Sequence, residues 1–249
     1  MLFYDTRAHL KAITRRILRI PVLLIPEGRM KFIIRKVIFK ILDIIPGEFL
    51  ANPGDVVVLV GFHRIDNVML WSHLVGKKGR VIVVEAVPEY VDNLRVNIEH
   101  HLNWPYKNIT YIKKGVDSCK GVKQIEIGEH ADFNKLAEQG IEDGLSDSNY
   151  TRDVEIETDT LDNILQSIRV DKVNHIEMTI SGMEVEALKG MSNILLSNGL
   201  RIQIRSLHEK DGQLLYLQVV NILDNCGMKT LVGRHNNRFV GREIYASRL

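Results

Sequence analysis

The hydrophobic and polar positions of residues 55–101 follow two alternating patterns. Two short, largely apolar runs, Asp55–Val60 and Arg80–Glu85, are rich in β-branched residues, which is typical of strands buried on both faces. After each run, Val68–Val75 and Pro88–His101 carry apolar residues at helical spacing. The segment therefore predicts a strand, a helix, a second strand and a second helix.

The same two patterns alternate along the rest of the chain. Residues 128–152 have no sustained period and predict a long loop, and the alternating residues Val154–Thr158 predict an edge strand. The turn His235-Asn236-Asn237 predicts that the last two strands form a hairpin. Other predicted strands are Asn108–Ile112, Val122–Ile127, Val173–Ile180, Leu200–Ser206, Met228–Val232 and Arg238–Ala246, and other predicted helices are Thr160–Ile168, Met183–Met191 and Gly212–Asn225.

Strands that alternate with helices predict an α/β fold for residues 51–249. We expect a three-layer, doubly wound and mainly parallel Rossmann-like sheet of seven strands, with helices on both faces. The C-terminal hairpin adds an antiparallel strand to that sheet, which favours the methyltransferase variant of the fold over the dehydrogenase variant. The chain is long enough to bury such a core without disulfides or metals.

Residues 1–50 differ in charge from the rest of the chain. They hold ten Lys/Arg against four Asp/Glu, and Thr14–Ile20 and Met30–Ile45 predict basic amphipathic helices. Such an extension commonly covers a domain with its charges solvated, and the alternative is peripheral contact with a membrane or a partner protein. No apolar run reaches the roughly 18 residues that span a bilayer.

Composition narrows the classes of function. Two cysteines, Cys119 and Cys226, match no metal spacing and indicate a reducing, cytoplasmic compartment. The net charge of +2 and the 6% aromatic content, without basic interleaving, give no sign of nucleic-acid binding. Neither a metal-ligand cluster nor a nucleophile elbow is present in the sequence, and oligomeric state cannot be derived from it.

The central unit predicts a site for a nucleoside cofactor. Gly61 follows the first strand and Glu85 ends the second. In folds of this kind the cofactor lies over the carboxyl ends of the strands, and an acid at the second strand hydrogen-bonds the ribose hydroxyls. The loop after Gly61 lacks the later glycines of G-x-G-x-x-G, which argues against a nicotinamide-dependent oxidoreductase.

From about Gly54 to its C-terminus the chain resembles the FkbM family of S-adenosylmethionine-dependent methyltransferases. The resemblance rests on Gly54-Asp55-Val56-Val57, Gly79-Arg80-Val81-Ile82 with Glu85, Pro88-Glu89, Thr160-Leu161-Asp162, Gly182-Met183-Glu184 and Leu188-Lys189-Gly190. It implies S-adenosyl-L-methionine as cofactor and methyl transfer to a hydroxyl of a small molecule or glycan as the reaction.

The chain departs from the family pattern at positions that matter for the site. Leu59 stands in place of an acid, His63 in place of asparagine and Ile65 in place of a glycine. Farther along, Glu177 replaces a lysine, and hydroxyl residues replace two acids. Phe62 and Ile65 would crowd the methionine half of the cofactor, so the same fold used as a catalytically inactive binding or scaffolding module remains an alternative.

The fold and the resemblance together suggest a set of site residues. We expect Gly61, His63, Glu85 and Asp117 to contact the cofactor, Asp117 through the adenine amine. His63 is also the candidate base, although a loop histidine is often simply exposed. Candidate substrate contacts are Thr179 and Ser181, at the end of the strand that begins near Val173, and Glu184, in the first turn of the helix that follows.

Overall fold

The computed structural model describes residues 49–61, 65–101, 107–128, 135–136, 141–142, 150–206, 208–210, 212–234 and 242–248. The chain divides into two units, Met1–Leu50 and Ala51–Leu249, and the fold below is that of the second unit. The helices predicted within residues 1–48, and their contact with a membrane or partner, lie outside the described residues.

The predicted succession of strands and helices is present. The strands are β1 Val56–Gly61, β2 Arg80–Glu85, β3 Ile109–Lys113, β4 Gly115–Val116, β5 Gly121–Gly128, β6 Lys135–Leu136, β7 Ile141–Glu142, β8 Tyr150–Asp159, β9 His175–Thr179, β10 Arg201–Ser206, β11 Glu209–Lys210, β12 Gln213–Leu214, β13 Lys229–Arg234 and β14 Arg242–Ser247. The helices are α1 Ile65–Val75, α2 Pro88–Val96, α3 Leu161–Ser167, α4 Glu184–Lys189 and α5 Leu215–Asn225. A π-helical turn, Asn97–His101, continues α2, and a 3₁₀ turn spans Ile194–Leu196.

The main sheet has seven strands in the order β13-β14-β10-β9-β1-β2-β3. Its five strands from β10 to β3 are mutually parallel, and β14 is antiparallel to both of its neighbours. The prediction of a doubly wound, mainly parallel sheet with a C-terminal antiparallel hairpin is therefore confirmed. The carboxyl ends of β1, β2 and β9 lie side by side at one edge.

The central strands are buried because their side chains are apolar on both faces. Val57–Val60 and Val81–Val84 are all at most 1% exposed. Helix α1 contributes Val68, Trp71 and Val75 to the buried residues, at the spacing of an amphipathic helix. This packing fixes the positions of β1 and β2, and therefore the position of the sheet edge at which both strands end.

A second, four-stranded sheet has the order β4-β8-β5-β6. Strand β8 lies between β4 and β5 in this order, but β4 pairs only with Thr158 and Asp159. Among the described residues, 154–157 pair with β5 alone, so the prediction of an edge strand at Val154–Thr158 holds for this part and fails at Thr158. The alternation of β8 reflects one apolar face, on which Ile156 packs with Ile125 and Val87. The loop predicted for residues 128–152 is also partly wrong, because it contains β6 and β7 and the start of β8.

An ion pair closes the opposite, amino-terminal edge of the main sheet. Nη2 of Arg201 lies 2.6 Å from Oδ2 of Asp55. Asn174 joins the same strand ends, because its Oδ1 accepts a 2.9 Å hydrogen bond from the backbone N–H of Val56. The pair is largely buried and joins the starts of β1 and β10, two strands that are separated by β9.

We expect Arg201→Met to lower the free energy of unfolding by about 2 kcal/mol, because it leaves the Asp55 carboxylate without its charged partner. Urea unfolding measures this loss. The matched control is Lys113→Met, which removes an exposed ion pair with Asp92 and should change stability by less than about 0.5 kcal/mol. Equal losses in the two variants would refute a structural role for the Arg201 pair.

Candidate functional site

A cleft opens at the carboxyl edge of the main sheet. About 690 Å³ of space lies in the cleft and its open mouth. Strand ends of the main sheet form its floor and the second sheet forms a wall. Its lining is Val60, Gly61, Val84, Glu85, Ala86, Val87, Lys114, Gly115, Val116, Asp117, Lys123, Ile125, Ile156, Thr158, Thr179, Ile180, Ser181 and Met183.

Gly61 ends β1 at the floor of the cleft. Its φ of +90° is in the left-handed region, and a Cβ there would lie 2.0 Å from the carbonyl oxygen of Thr179. Only glycine meets both demands. The close approach of β1 to β9 explains why this glycine is needed even before any ligand is considered.

Glu85 lies where the sequence predicts it, at the end of β2 and on the cleft lining. It is 7% exposed, and its Oε1 accepts a 2.7 Å hydrogen bond from the backbone N–H of Val87. Burial raises the pKa of the Glu85 carboxyl to about 7, against the opposing effect of backbone hydrogen bonds from Val87 and Ala86. The protonated and ionised forms are thus both populated near neutral pH.

Asp117 also lines the cleft, but its carboxylate is held inside the wall. The residue is 1% exposed, and Oδ1 accepts a 2.7 Å hydrogen bond from the backbone N–H of Ser118. Oδ2 is ion-paired with the ammonium of Lys123. Packing fixes the segment further, because a Cβ at Gly190 would lie 2.0 Å from the carbonyl oxygen of Asp117.

Two of the three predicted substrate residues line the cleft. Thr179 ends β9, and Ser181 follows with a φ of +41° in the turn that leads into α4. Glu184 is fully buried, its Oε1 accepts a 3.1 Å hydrogen bond from the backbone N–H of Gly182, and it is not among the described residues of the lining. Burial raises the pKa of the Glu184 carboxyl, and the charge of His208 opposes that shift. Substrate contact by these residues stays a prediction.

The structure describes only part of the segment that follows Gly61. Phe62 and His63 lie outside the described residues, so the proposed roles of His63 as base and cofactor contact stay predictions. Ile65 begins α1 and is not among the described residues of the cleft lining. Within the described part of the chain, the floor and the Glu85 side of the cleft are not filled by side chains.

Glu177, which replaces a lysine of the family pattern, has a clear set of partners. Asn67 donates a 3.0 Å hydrogen bond from Nδ2 to Oε1 of Glu177, and Trp71 donates one of 2.5 Å from Nε1 to Oε2. Leu59, which replaces an acid, is the register partner of Glu177 on β1. The two departures are therefore neighbours, and helix α1 supplies the donors that the Glu177 carboxylate needs.

Sequence reasoning missed the contribution of the second sheet to the cleft. Lys123, Ile125, Ile156 and Thr158 all line it, and they come from β5 and β8. Both strands were predicted, but alternation within a strand does not reveal which distant strand pairs with it. No local pattern in the sequence would have revealed this contribution.

Thr158 carries a buried hydroxyl that has no hydrogen-bond partner among the described residues. We expect Thr158→Val to raise the stability of the ligand-free protein by about 1 kcal/mol, because it removes an unsatisfied polar group at almost constant shape. Denaturant unfolding tests this. Thr158→Ser, which keeps the hydroxyl and loses the methyl, should be destabilising, and a loss of stability in both variants would show that the hydroxyl is satisfied.

Two further features of the described residues bear on the class of site. They contain no group of three or more His, Cys, Asp or Glu side chains that could hold a metal ion. No helix in the described ranges has the length and hydropathy needed to cross a membrane.

A profile of the methyltransferase FkbM domain matches residues 49–230 of the chain. Comparison with curated proteins gives no match. Among solved structures, the methyltransferase FkbM from Methylobacillus flagellatus is similar with a TM-score of 0.50 and 12% identity, over 94% of this chain and 58% of that one. At these identities the likeness concerns the fold.

Two other solved structures illustrate the range of similar proteins. Precorrin-6y C5,15-methyltransferase from Geobacter metallireducens has a TM-score of 0.46 and 14% identity, over 81% of this chain and 84% of that one. Fibrillarin from Aeropyrum pernix, in complex with natively bound S-adenosyl-L-methionine, has a TM-score of 0.47 and 12% identity, over 78% and 67%.

Proposed function

We propose that this chain, which belongs to the FkbM family of methyltransferases, binds S-adenosyl-L-methionine in the cleft and transfers its methyl group to a hydroxyl of a small molecule or glycan. The observation that carries the proposal is the position of Glu85. Its carboxyl closes β2 and borders an open cleft beside Gly61, where a nucleoside cofactor lies in doubly wound folds.

The residues present fit this cofactor. The Glu85 carboxyl is an acceptor for two ribose hydroxyls in its ionised form, and the lining around it is mostly apolar, as ligand pockets are. At the floor of the cleft, Gly61 has no side chain that would cover the backbone. The bound cofactor would supply a sulfonium-activated methyl group, so no covalent help from the protein is required.

The chain's own task is then to position the reactants and exclude water. Val60, Ile180 and Met183 give the cleft an apolar lining beside the strand ends. The hydroxyls of Thr179 and Ser181 are the proposed contacts for the methyl acceptor. His63, two residues after Gly61 in the sequence, is the proposed base for the acceptor hydroxyl.

Isothermal titration of the full chain with S-adenosyl-L-methionine and S-adenosyl-L-homocysteine tests the cofactor part of the proposal. We expect binding of both ligands on the micromolar scale. The transferase part is tested with labelled cofactor and a panel of hydroxyl-bearing sugars and small alcohols. Absence of binding at high protein concentration would refute the proposal and leave the catalytically inactive binding module as the remaining function.

A further inference from the structure

The acid expected to hold the adenine amine is already engaged within the protein. Both oxygens of the Asp117 carboxylate have partners, the Ser118 N–H at 2.7 Å and the Lys123 ammonium. The Asp117 side chain is only 1% exposed. Because Oδ2 is buried from solvent and ion-paired with Lys123, a ligand in the cleft meets the ammonium more readily than this carboxylate.

Lys123 is the exposed member of that pair. It lies on β5, its side chain is 29% exposed, and it lines the cleft. An ammonium carries three N–H donors, and the ion pair with Asp117 leaves donors available to a ligand. Because the partner acid is buried, the ammonium is also held in place rather than free to move with solvent.

The order of groups along the cleft indicates which part of the cofactor lies beside Lys123. Gly61 ends β1, Glu85 ends the neighbouring strand β2, and β4, a strand of the second sheet, lies against β2. If Glu85 holds the ribose, the apolar side of the cleft at the second sheet suits the base, and the methionine half then extends toward Gly61. On the side of the second sheet, Val116, Ile125 and Ile156 line the cleft and offer apolar surfaces to the faces of a purine.

We propose that Lys123, anchored by buried Asp117, is the residue that reads the edge of the cofactor's base, by donating a hydrogen bond to a ring nitrogen. This inference rests on the proposed function. In this arrangement the Lys123 donor recognises the purine ring. The Asp117 acceptor does not recognise the 6-amino group. The chemical consequence is that the 6-amino group contributes little to affinity.

The first test needs no variant. The affinity of the wild-type chain is measured by titration for S-adenosyl-L-homocysteine and for the analogue that lacks the 6-amino group of the purine. We expect the two dissociation constants to agree within about threefold. A loss of more than about tenfold for the analogue, the size of one hydrogen bond to a charged group, would show that an acceptor reads the amine and would overturn the inference.

Variants of the pair separate its two members. Lys123→Met combined with Asp117→Asn removes the donor without leaving a buried charge, and we expect it to weaken S-adenosyl-L-homocysteine binding about tenfold. Lys123→Arg, which keeps charged donors, should retain most of the affinity. Asp117→Asn alone, which keeps Lys123 but weakens its anchor, should lose less affinity than the double variant. Thermal melting of each variant confirms folding.

The outcomes distinguish this inference from the function on which it rests. If the wild-type chain binds neither ligand, both fail. If it binds S-adenosyl-L-homocysteine but the double variant binds as tightly as the wild type, or Asp117→Asn alone accounts for the loss, the cofactor site stands and the role of Lys123 is wrong.

Discussion

Replacing Glu85 by alanine is expected to weaken S-adenosyl-L-homocysteine binding about 100-fold. The change removes the acceptor of two ribose hydroxyls, and hydrogen bonds to a charged group contribute roughly 1.5–3 kcal/mol each. Titration calorimetry on the full chain measures the loss. The contact between Glu85 and the Val87 N–H is lost as well, so a melting curve is needed to confirm that the variant is folded.

The pH dependence of binding provides a second, independent signature of the same carboxyl. Burial raises the pKa of Glu85 to about 7 in the free protein, and donors from a ribose would lower it in the complex. Binding then releases a proton, so affinity rises with pH and levels off above the free pKa. Between pH 6 and pH 8 we expect a gain of about tenfold.

Glu85→Gln is the matched control, because it keeps the shape and removes the titration. Its affinity should be weak and constant between pH 6 and pH 8. In the ligand-free protein the sign is opposite: a carboxyl with a raised folded pKa loses stability as pH rises from about 4.5 to about 7, and the glutamine variant should lack that loss. A pH-independent affinity in the wild-type chain would contradict a ligand contact that depends on ionisation of Glu85 in this range.

The floor of the cleft could be predicted from sequence because it depends on local pattern. Continuous apolar runs at residues 56–60 and 81–84, rich in β-branched side chains, leave no polar face for a strand, which favours a place in the middle of a parallel sheet for both. Their carboxyl ends must then share one edge, which places Gly61 and Glu85 together. The structure has both residues on one cleft.

The wall of the cleft could not be predicted in the same way. The alternation at Val154–Thr158 indicates that one face of the strand is buried. An edge strand and an inner strand show the same alternation when the sheet has one solvated face. The pairing of β8 with β4 and β5 depends on contacts between distant residues. The engagement of Asp117 by Lys123 follows from that pairing and was missed with it.

The family departures in the core show the same limit. Considered one at a time, the departures at Leu59 and Glu177 suggest that the cofactor site is no longer functional. Their register across β1 and β9 shows that the two changes lie side by side, and the hydrogen bonds from Asn67 and Trp71 satisfy the carboxylate that results. The absence of a residue of the family pattern therefore does not by itself indicate that the carboxyl edge of the sheet has lost its ability to hold a cofactor.

We expect Gly61→Ala to lower the free energy of unfolding by roughly 3–5 kcal/mol and to abolish measurable cofactor binding. A Cβ at this position would lie 2.0 Å from the Thr179 carbonyl oxygen and 2.6 Å from Cγ2 of Ile180, so β1 and β9 must separate where they form the floor of the cleft. The φ of +90° adds backbone strain. Displaced core strands are among the few causes of losses this large.

Gly54→Ala separates the steric part of this effect from the backbone part. Gly54 has a nearly equal φ of +94°, but a Cβ there would meet nothing within 4 Å. We therefore expect a loss of only about 1–2 kcal/mol, the strain of a left-handed alanine. Urea unfolding of both variants, with titration of S-adenosyl-L-homocysteine at a temperature where both are folded, makes the comparison. Equal losses of stability in the two variants would mean that β1 and β9 do not approach as closely as the structure places them.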